Sequence, residues 1–289
     1  MVIKESMKKY VIYSAMVGAY DEIRQPLVVD ERFDYVLFSN DVMASTVGVW
    51  QIRRIDYYHL DNTRICRYVK THPETLLPDY SFSVWMDSNI QICTDHLYRR
   101  TIELFEKGVL IASTNHPGWD CIYTEAVQLL YMGVEHEDVV LSWCHLLRRE
   151  GYPRHNGLCE TGIVFRVFDT RIKELDDLWW DCIDHFSRRD QLSFNYSLWK
   201  TGVPVNFVLE YNKNVRDVEY FTYYVHKDSR KNNCPLNPNE AWLIRYVRKH
   251  PNEIKTIEEL YYRIFKSSNP KLVATLLGQY YRAIHLLTV

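Results

Sequence analysis

The sequence predicts an α/β protein in which one sheet is covered by helices, and three observations carry that reading. Strand-length runs of β-branched and aromatic residues alternate with helix-length amphipathic segments. Hydrophobic residues make up 47% of the chain and charged residues 25%, ordinary globular usage that excludes disorder, collagen and fibrous repeats. At 289 residues the chain suits one large domain, or one domain with a helical appendage.

Residues 9–15 (KYVIYSA) read as the first strand, closed by a loop at 16–21 whose small residues permit a tight turn. Residues 33–39 (FDYVLFS) form a second buried strand ending at Asn40-Asp41, and residues 50–55 a third, with loops between them. Residues 62–70 are helical: Ile65 and Val69 share a face, while Arg64, Arg67 and Lys70 follow one another at i, i+3 and i+6, so three cations point broadly one way. Residues 80–85 are a strand leading into Asp87-Ser88-Asn89, with residues 90–93 continuing it beyond that break. A helix at 97–108 stops at glycine and is followed by a strand at 109–113 and a polar loop at 114–120. Helices are expected at 122–133 and 137–150, a strand at 161–168, and a long amphipathic helix at 171–189 containing Trp179-Trp180.

Beyond Tyr223 the character changes. Residues 227–238 (KDSRKNNCPLNP) are polar and contain proline, which places a boundary there. The expectation is a main domain over 1–235 and a helical extension over 236–289, with Asn239 as an N-cap. Residues 240–289 carry eight Lys/Arg against four Asp/Glu. That surplus suits docking on an anionic membrane surface, or packing on the main domain or a second subunit.

Composition also excludes. A formal net charge of -2 lacks the cationic surplus that neutralises a phosphate backbone, so nucleic acid is not expected as a partner. No apolar run approaches the length of a spanning helix and residues 1–10 are too polar for a signal peptide, so the chain is expected in the cytoplasm, at the inner face of the membrane if its extension docks there. Seven scattered cysteines without a C-x-x-C pair suit neither a disulfide scaffold nor structural zinc. Phosphate-binding P-loop, dinucleotide, α/β-hydrolase and zincin motifs are all absent. The aromatic content of 14% tilts toward carbohydrate, whose faces stack on rings, although rings also fill cores.

Several groups could carry chemistry at strand and helix ends. Asp87 and Asn89 lie at i and i+2, where strand alternation turns both oxygens to one side, as a hard cation would require; the same pattern also serves a turn held by Asx hydrogen bonds. Arg64, Arg67 and Lys70 suit a phosphate, or a solvated helix face. Asp190 and Gln191 could hold sugar hydroxyls, with Asp190 as a general base, or simply start a helix with Asp190 as N-cap. His226, Glu160, His116 and Asp120 are lone polar groups at element ends, where open α/β sheets bind ligands.

In order along the chain, residues 13–21 (YSAMVGAYD), 34–41 (DYVLFSND), 64–73 (RICRYVKTHP), 84–90 (VWMDSNI), 151–166 (GYPRHNGLCETGIVFR) and 179–200 resemble the glycosyltransferase-like domain family of plant mucilage-related and bacterial polysaccharide-locus proteins. Their order and spacing make the combination fairly specific over roughly residues 9–226. More distantly the chain is similar to retaining family-eight glycosyltransferases. The resemblance implies a GT-A fold: a mostly parallel sheet binding a nucleoside diphosphate sugar, UDP-linked by analogy, together with Mn²⁺ or Mg²⁺, and acting on a glycan or lipid-linked acceptor in polysaccharide biosynthesis. By the same carry-over, Val17, Gly18 and Tyr20 form the nucleotide loop and Asp41 lies near the base or ribose. Arg64 and Lys70 approach the donor sugar or diphosphate. Asp87, Asn89 and His226 hold the metal, Asp190 and Gln191 flank the reacting sugar, and Glu160 lines the acceptor side. Asn89 stands where the family-eight D-x-D pattern has a second Asp, which removes one negative charge from the cation site. A nucleotide- or carbohydrate-binding protein that has lost transfer is the alternative. A scaffold explains the apolar patterning but not the polar groups collected at element ends.

Overall fold

The computed structural model describes residues 10–132, 134–210 and 213–226. The expected extension over 236–289 and the boundary before it lie outside these residues.

β1 (Tyr10–Ala15) is the centre of the fold. Val11 and Tyr13 face one side of the sheet and Ile12 the other, and none of the three is exposed to solvent. A strand buried on both faces must be apolar throughout, which is why this run and β2 (Phe33–Phe38) lack polar alternation. β2 and β5 (Phe82–Met86) flank β1 in parallel, and β4 (Trp50–Arg53) extends the parallel set beyond β2. β8 (Cys159–Val167) then enters antiparallel beside β5 and is followed by β7 (Ile111–Asn115), again antiparallel to it. Short strands close both edges, β3 (Thr46–Val47) against β4 and β9 (Asn206–Phe207) against β7. The order β3-β4-β2-β1-β5-β8-β7-β9 is a mixed, mostly parallel sheet, as the resemblance implies.

One face is covered by α1 (Asn62–Thr71), α6 (Thr170–His185) and α7 (Gln191–Thr201), whose Ile65, Val69, Leu175, Trp179 and Phe194 pack on Val11, Tyr13 and Trp85. α3 (His96–Glu106) covers the other face through Leu97, Tyr98 and Leu104. A four-residue turn, α2 (Pro73–Leu76), follows α1. The helices α4 (Ile122–Met132) and α5 (Glu137–Glu150) build a separate apolar cluster that reaches Leu192 and Tyr196 of α7. α5 stops at Gly151, whose φ of +79° is the left-handed cap glycine accepts most cheaply.

Two expectations are corrected. β6 (Ile90–Ile92) does not continue β5; the chain turns at residues 87–89 and β6 pairs antiparallel with β10 (Phe221–Tyr223) in a second sheet. The helix expected to reach residue 189 ends at His185, with four residues between it and α7's N-cap, Asp190. α7 is the helix start that the Asp190-Gln191 pair allowed as its alternative reading, with every residue from Leu192 to Leu198 buried.

Candidate active site

The parallel strands β1, β2 and β5 end at one edge of the sheet, and the candidate residues collect there. After β1 the chain bends through Gly18, whose φ is +87° and whose amide donates to Asp41 Oδ2 after β2 at 2.6 Å. The expected nucleotide loop and Asp41 are thus joined directly. A Cβ on Gly18 would stand 2.7 Å from Asn62 Nδ2. Gly18→Ala is therefore expected to lose about 1–2 kcal/mol through left-handed strain, before any cost of displacing Asn62. Urea denaturation would show this as a lower midpoint at unchanged slope.

The centre of the site is a carboxylate between two cations. Asp190 is nearly fully buried, and its Oδ2 is bonded by Lys70 Nζ and by Thr161 Oγ1, the latter at 2.7 Å. Arg67 Nε lies 2.9 Å from Asp190 Oδ1, at ion-pair distance although its N–H is not aligned for a hydrogen bond. The Trp179 indole donates to the Asp190 carbonyl at 2.9 Å, fixing the backbone. Burial alone would raise the carboxyl's pKa, but Arg67, Lys70 and the two hydrogen bonds outweigh it and hold Asp190 well below the usual carboxylate range. Asp190 occupies the N-cap position of α7 without capping it.

Asp87 shares the same cations. Its Oδ1 accepts from Trp85 Nε1 at 2.7 Å, 3.7 Å from Lys70 Nζ and 4.0 Å from an Arg67 nitrogen. Lys70 is fully buried and lies 5.3 Å from the Trp85 ring and 5.6 Å from the Trp179 ring. Asp87 keeps 28% of its side chain exposed, so it is the member of the cluster that a ligand can reach.

The expected metal donors are divided. His226 Nδ1 bonds Asp21 Oδ2 at 2.6 Å, and Ser88 Oγ donates to the same oxygen at 3.2 Å. Asn89 donates through Nδ2 to the Tyr224 carbonyl at 2.8 Å, which leaves its buried Oδ1 without a partner. Among the described residues no three His, Cys, Asp or Glu side chains stand together as one ion site. The hard oxygens of Asp87 and Asn89 nevertheless fit Mg²⁺ or Mn²⁺ chemically, with Asn89 Oδ1 the orphaned acceptor that a cation would satisfy.

Arg64 is placed differently from the expectation. Its guanidinium donates to the Ile183 and Phe186 carbonyls, at 3.2 and 2.9 Å, and to Asp61 at 3.1 Å. It holds the end of α6, and Arg67 takes the cluster position instead. Gln191 begins α7 beside Asp190, half-buried. Glu160 is the second residue of β8 and is gripped by Arg216 at 2.7 and 2.9 Å. Tyr20 packs edge-on against His226, with ring centroids 5.4 Å apart. Val17 is buried in the core behind the loop.

Sequence reasoning missed Asp21, Thr161, Trp85, Trp179 and Arg216 as parts of the site. Asp21 closes the YSAMVGAYD stretch, a signal that was available; the others are visible only once the chain is folded.

The TOD1/MUCI70 glycosyltransferase-like domain model matches residues 2–226. A curated relative, the alkaline ceramidase TOD1 of Arabidopsis thaliana, is 22% identical over 282 residues, covering 81% of this chain and 60% of its own length. The chain thus spans about 60% of that relative. Among solved structures, the apo bifunctional glycosyltransferase WbbM is similar at a TM-score of 0.43 and 14% identity, over 72% of this chain and 39% of that one.

Proposed function

The chain belongs to the TOD1/MUCI70 glycosyltransferase-like domain family, and from that premise we propose that it transfers a hexosyl group from a nucleoside diphosphate sugar, UDP-linked, to a glycan or lipid-linked acceptor. The observation that carries this reading is the pair of cations, Lys70 and Arg67, shared between Asp87 and Asp190 at the ends of the parallel strands.

Leaving-group departure in glycosyl transfer concentrates charge on the diphosphate, and positioned cations lower that barrier without reorganising. Asp190 holds Lys70 and Arg67 in place. Asp87 is their exposed neighbour, and the Gly18–Asp41 contact shapes the loop on which the nucleoside rests. A divalent ion, when bound, would be held by Asp87 and Asn89, with the Asp21–His226 pair beside them, and would supply further charge neutralisation. Both Asp190 oxygens are engaged within the protein, Oδ2 by Lys70 and Thr161 and Oδ1 by the Arg67 ion pair, which supports a positional role over that of general base.

The basic extension at 236–289 lies outside the described residues, and a peripheral membrane contact through it belongs to the same proposal. Among the described residues no helix is long and apolar enough to cross a membrane.

The test is a thermal-shift panel of UDP, GDP, CDP and their sugars, with and without Mn²⁺. A ligand at 100 times its dissociation constant adds about 2.7 kcal/mol, several degrees for a chain of this size. The expected result is a shift with UDP sugars that strengthens with Mn²⁺ and is lost in Asp87→Ala, a variant expected to keep the fold because Asp87 is partly exposed. No shift with any nucleotide would favour a non-catalytic binder of carbohydrate. Release of a fatty acid from ceramide would instead extend the named activity of the Arabidopsis relative to this chain.

A further inference from the structure

A second titratable cluster lies beside the first and is not used by the reading above. His116 follows β7, and its Nδ1 accepts backbone N–H groups from Gly118 at 3.2 Å and Trp119 at 3.0 Å. Two donors on Nδ1 leave the ring proton on Nε2. That nitrogen stands 3.5 Å from Oε2 of Glu125, in the first turn of α4. Both side chains are close to fully buried, at 11% and 7% exposure.

Arg189, immediately before Asp190 in the link from α6 to α7, lies within electrostatic reach of Glu125, and its Nε is buried without a hydrogen-bond partner. Glu160 in β8 pairs with Thr114 of β7, the His116 amide donates to the Leu158 carbonyl just before β8 at 3.0 Å, and Glu160 lies within electrostatic reach of Glu125, Asp87 and Lys70. Arg216 completes the group by gripping Glu160 and by acting on His116. The cluster therefore adjoins the proposed donor site through Glu160 and Arg189.

We propose that Glu125, oriented by the neutral His116 imidazole, receives the proton of the acceptor hydroxyl, and that Glu125, His116 and Arg189 join Glu160, the residue the resemblance places on the acceptor side, to form the acceptor end of the site. The proposal rests on the glycosyl-transfer reading. As the acceptor oxygen bonds to the anomeric carbon, its proton passes to the Glu125 carboxylate. The bond from that carbon to the diphosphate oxygen breaks, and its electron pair leaves with the diphosphate.

The two carboxylates are tuned in opposite directions, the arrangement expected of groups with different tasks. Burial, opposed by Arg189 and assisted by Glu160, pushes Glu125 up to about 7, while Asp190 is held low. Burial, assisted by Arg216, pulls His116 down to about 4, so its ring stays neutral with the protonated Nε2 turned toward Glu125 Oε2 at 3.5 Å.

The experiment uses the full chain with UDP-glucose and UDP-galactose in Mn²⁺, water serving as acceptor, and reads released UDP. Glu125→Gln is expected to keep the UDP thermal shift and lower turnover about 100-fold or more. It should also remove a pH limb near 7 that the wild type shows. A folded-state pKa raised above the unfolded value gives stability that is lost as pH rises through about 7. Apo Glu125→Gln should accordingly melt a few degrees above wild type at pH 8.5 and not at pH 4. Wild-type turnover with an unchanged pH limb in Glu125→Gln overturns the assignment of Glu125 and leaves glycosyl transfer standing. A wild type that neither binds UDP nor releases it overturns the underlying reading, and this proposal with it.

Discussion

Asp190→Ala is expected to cost about 3–5 kcal/mol of folding stability and to abolish transfer, the largest combined effect of any single change at the site. The reason is the company Asp190 keeps. Lys70 is fully buried and has Asp190 as its direct partner, with Asp87 farther off at 3.7 Å. Removing the carboxylate strands an ammonium and leaves Arg67 and Thr161 without their acceptor. Urea denaturation of the variant would show the loss as a lower midpoint, and UDP release would measure transfer. Asp190→Asn separates the contributions, because it retains hydrogen-bonding atoms and removes charge. The pH dependence gives a further check. A carboxyl whose folded pKa is depressed contributes stability that is present above its unfolded value, near 4, and is lost as pH falls toward the folded value. The gap between wild type and Asp190→Asn should therefore be full at pH 6 and shrink in acid. A gap independent of pH between 6 and 2 would refute the ion-pair account.

A comparable loss is expected behind the site, where the Arg166 guanidinium lies 5.7 Å from the Trp179 ring but bonds none of the site's side chains described above. Arg166 and Asp176 form a 2.7 Å ion pair between β8 and α6, with neither side chain exposed at all. The pair is incompletely satisfied: Arg166 Nε and Nη2 and Asp176 Oδ2 have no hydrogen-bond partner. Burial pushes Asp176 up to about 7 despite the guanidinium beside it, so desolvation outweighs the attraction. Asp176→Leu leaves Arg166 uncompensated and should cost about 3–5 kcal/mol, whereas Asp176→Leu with Arg166→Met should recover most of that or exceed wild type. A double-mutant cycle by urea denaturation measures the coupling. If the double variant is no better than the single one, the pair does more than fill the interior.

How much of this was legible in the sequence depended on whether a signal was local. The buried strands were, because β-branched and aromatic runs report their own burial, and the Asp87 strand end followed from them. α7 was not marked by a stripe: residues 192–198 are buried all round, and a helix buried on every side shows no amphipathic contrast. The cations of α1 were visible as a set, but their spacing does not say which of them turns toward the sheet. The fold decides between Arg64 and Arg67 by placing the end of α6 beside Arg64. Asp21 and His226 are 205 positions apart and no periodicity joins them. Glu125 was hidden for a different reason, since an acidic residue in a first helical turn reads as a partner of the helix dipole.

The strand β10 and the residues that follow it have a bearing on how the protein is made. Asn89 and Asp21 are synthesised early, but their partners Tyr224 and His226 are the last described residues to leave the ribosome. Until then a nascent chain can assemble the parallel strands around β1 while this corner lacks its closing contacts, in keeping with folding that begins at the N-terminal side. The corner around Asn89 and Asp21 is therefore complete only once residue 226 has emerged, and arrested chains ending before Phe221 are expected to carry the sheet without it.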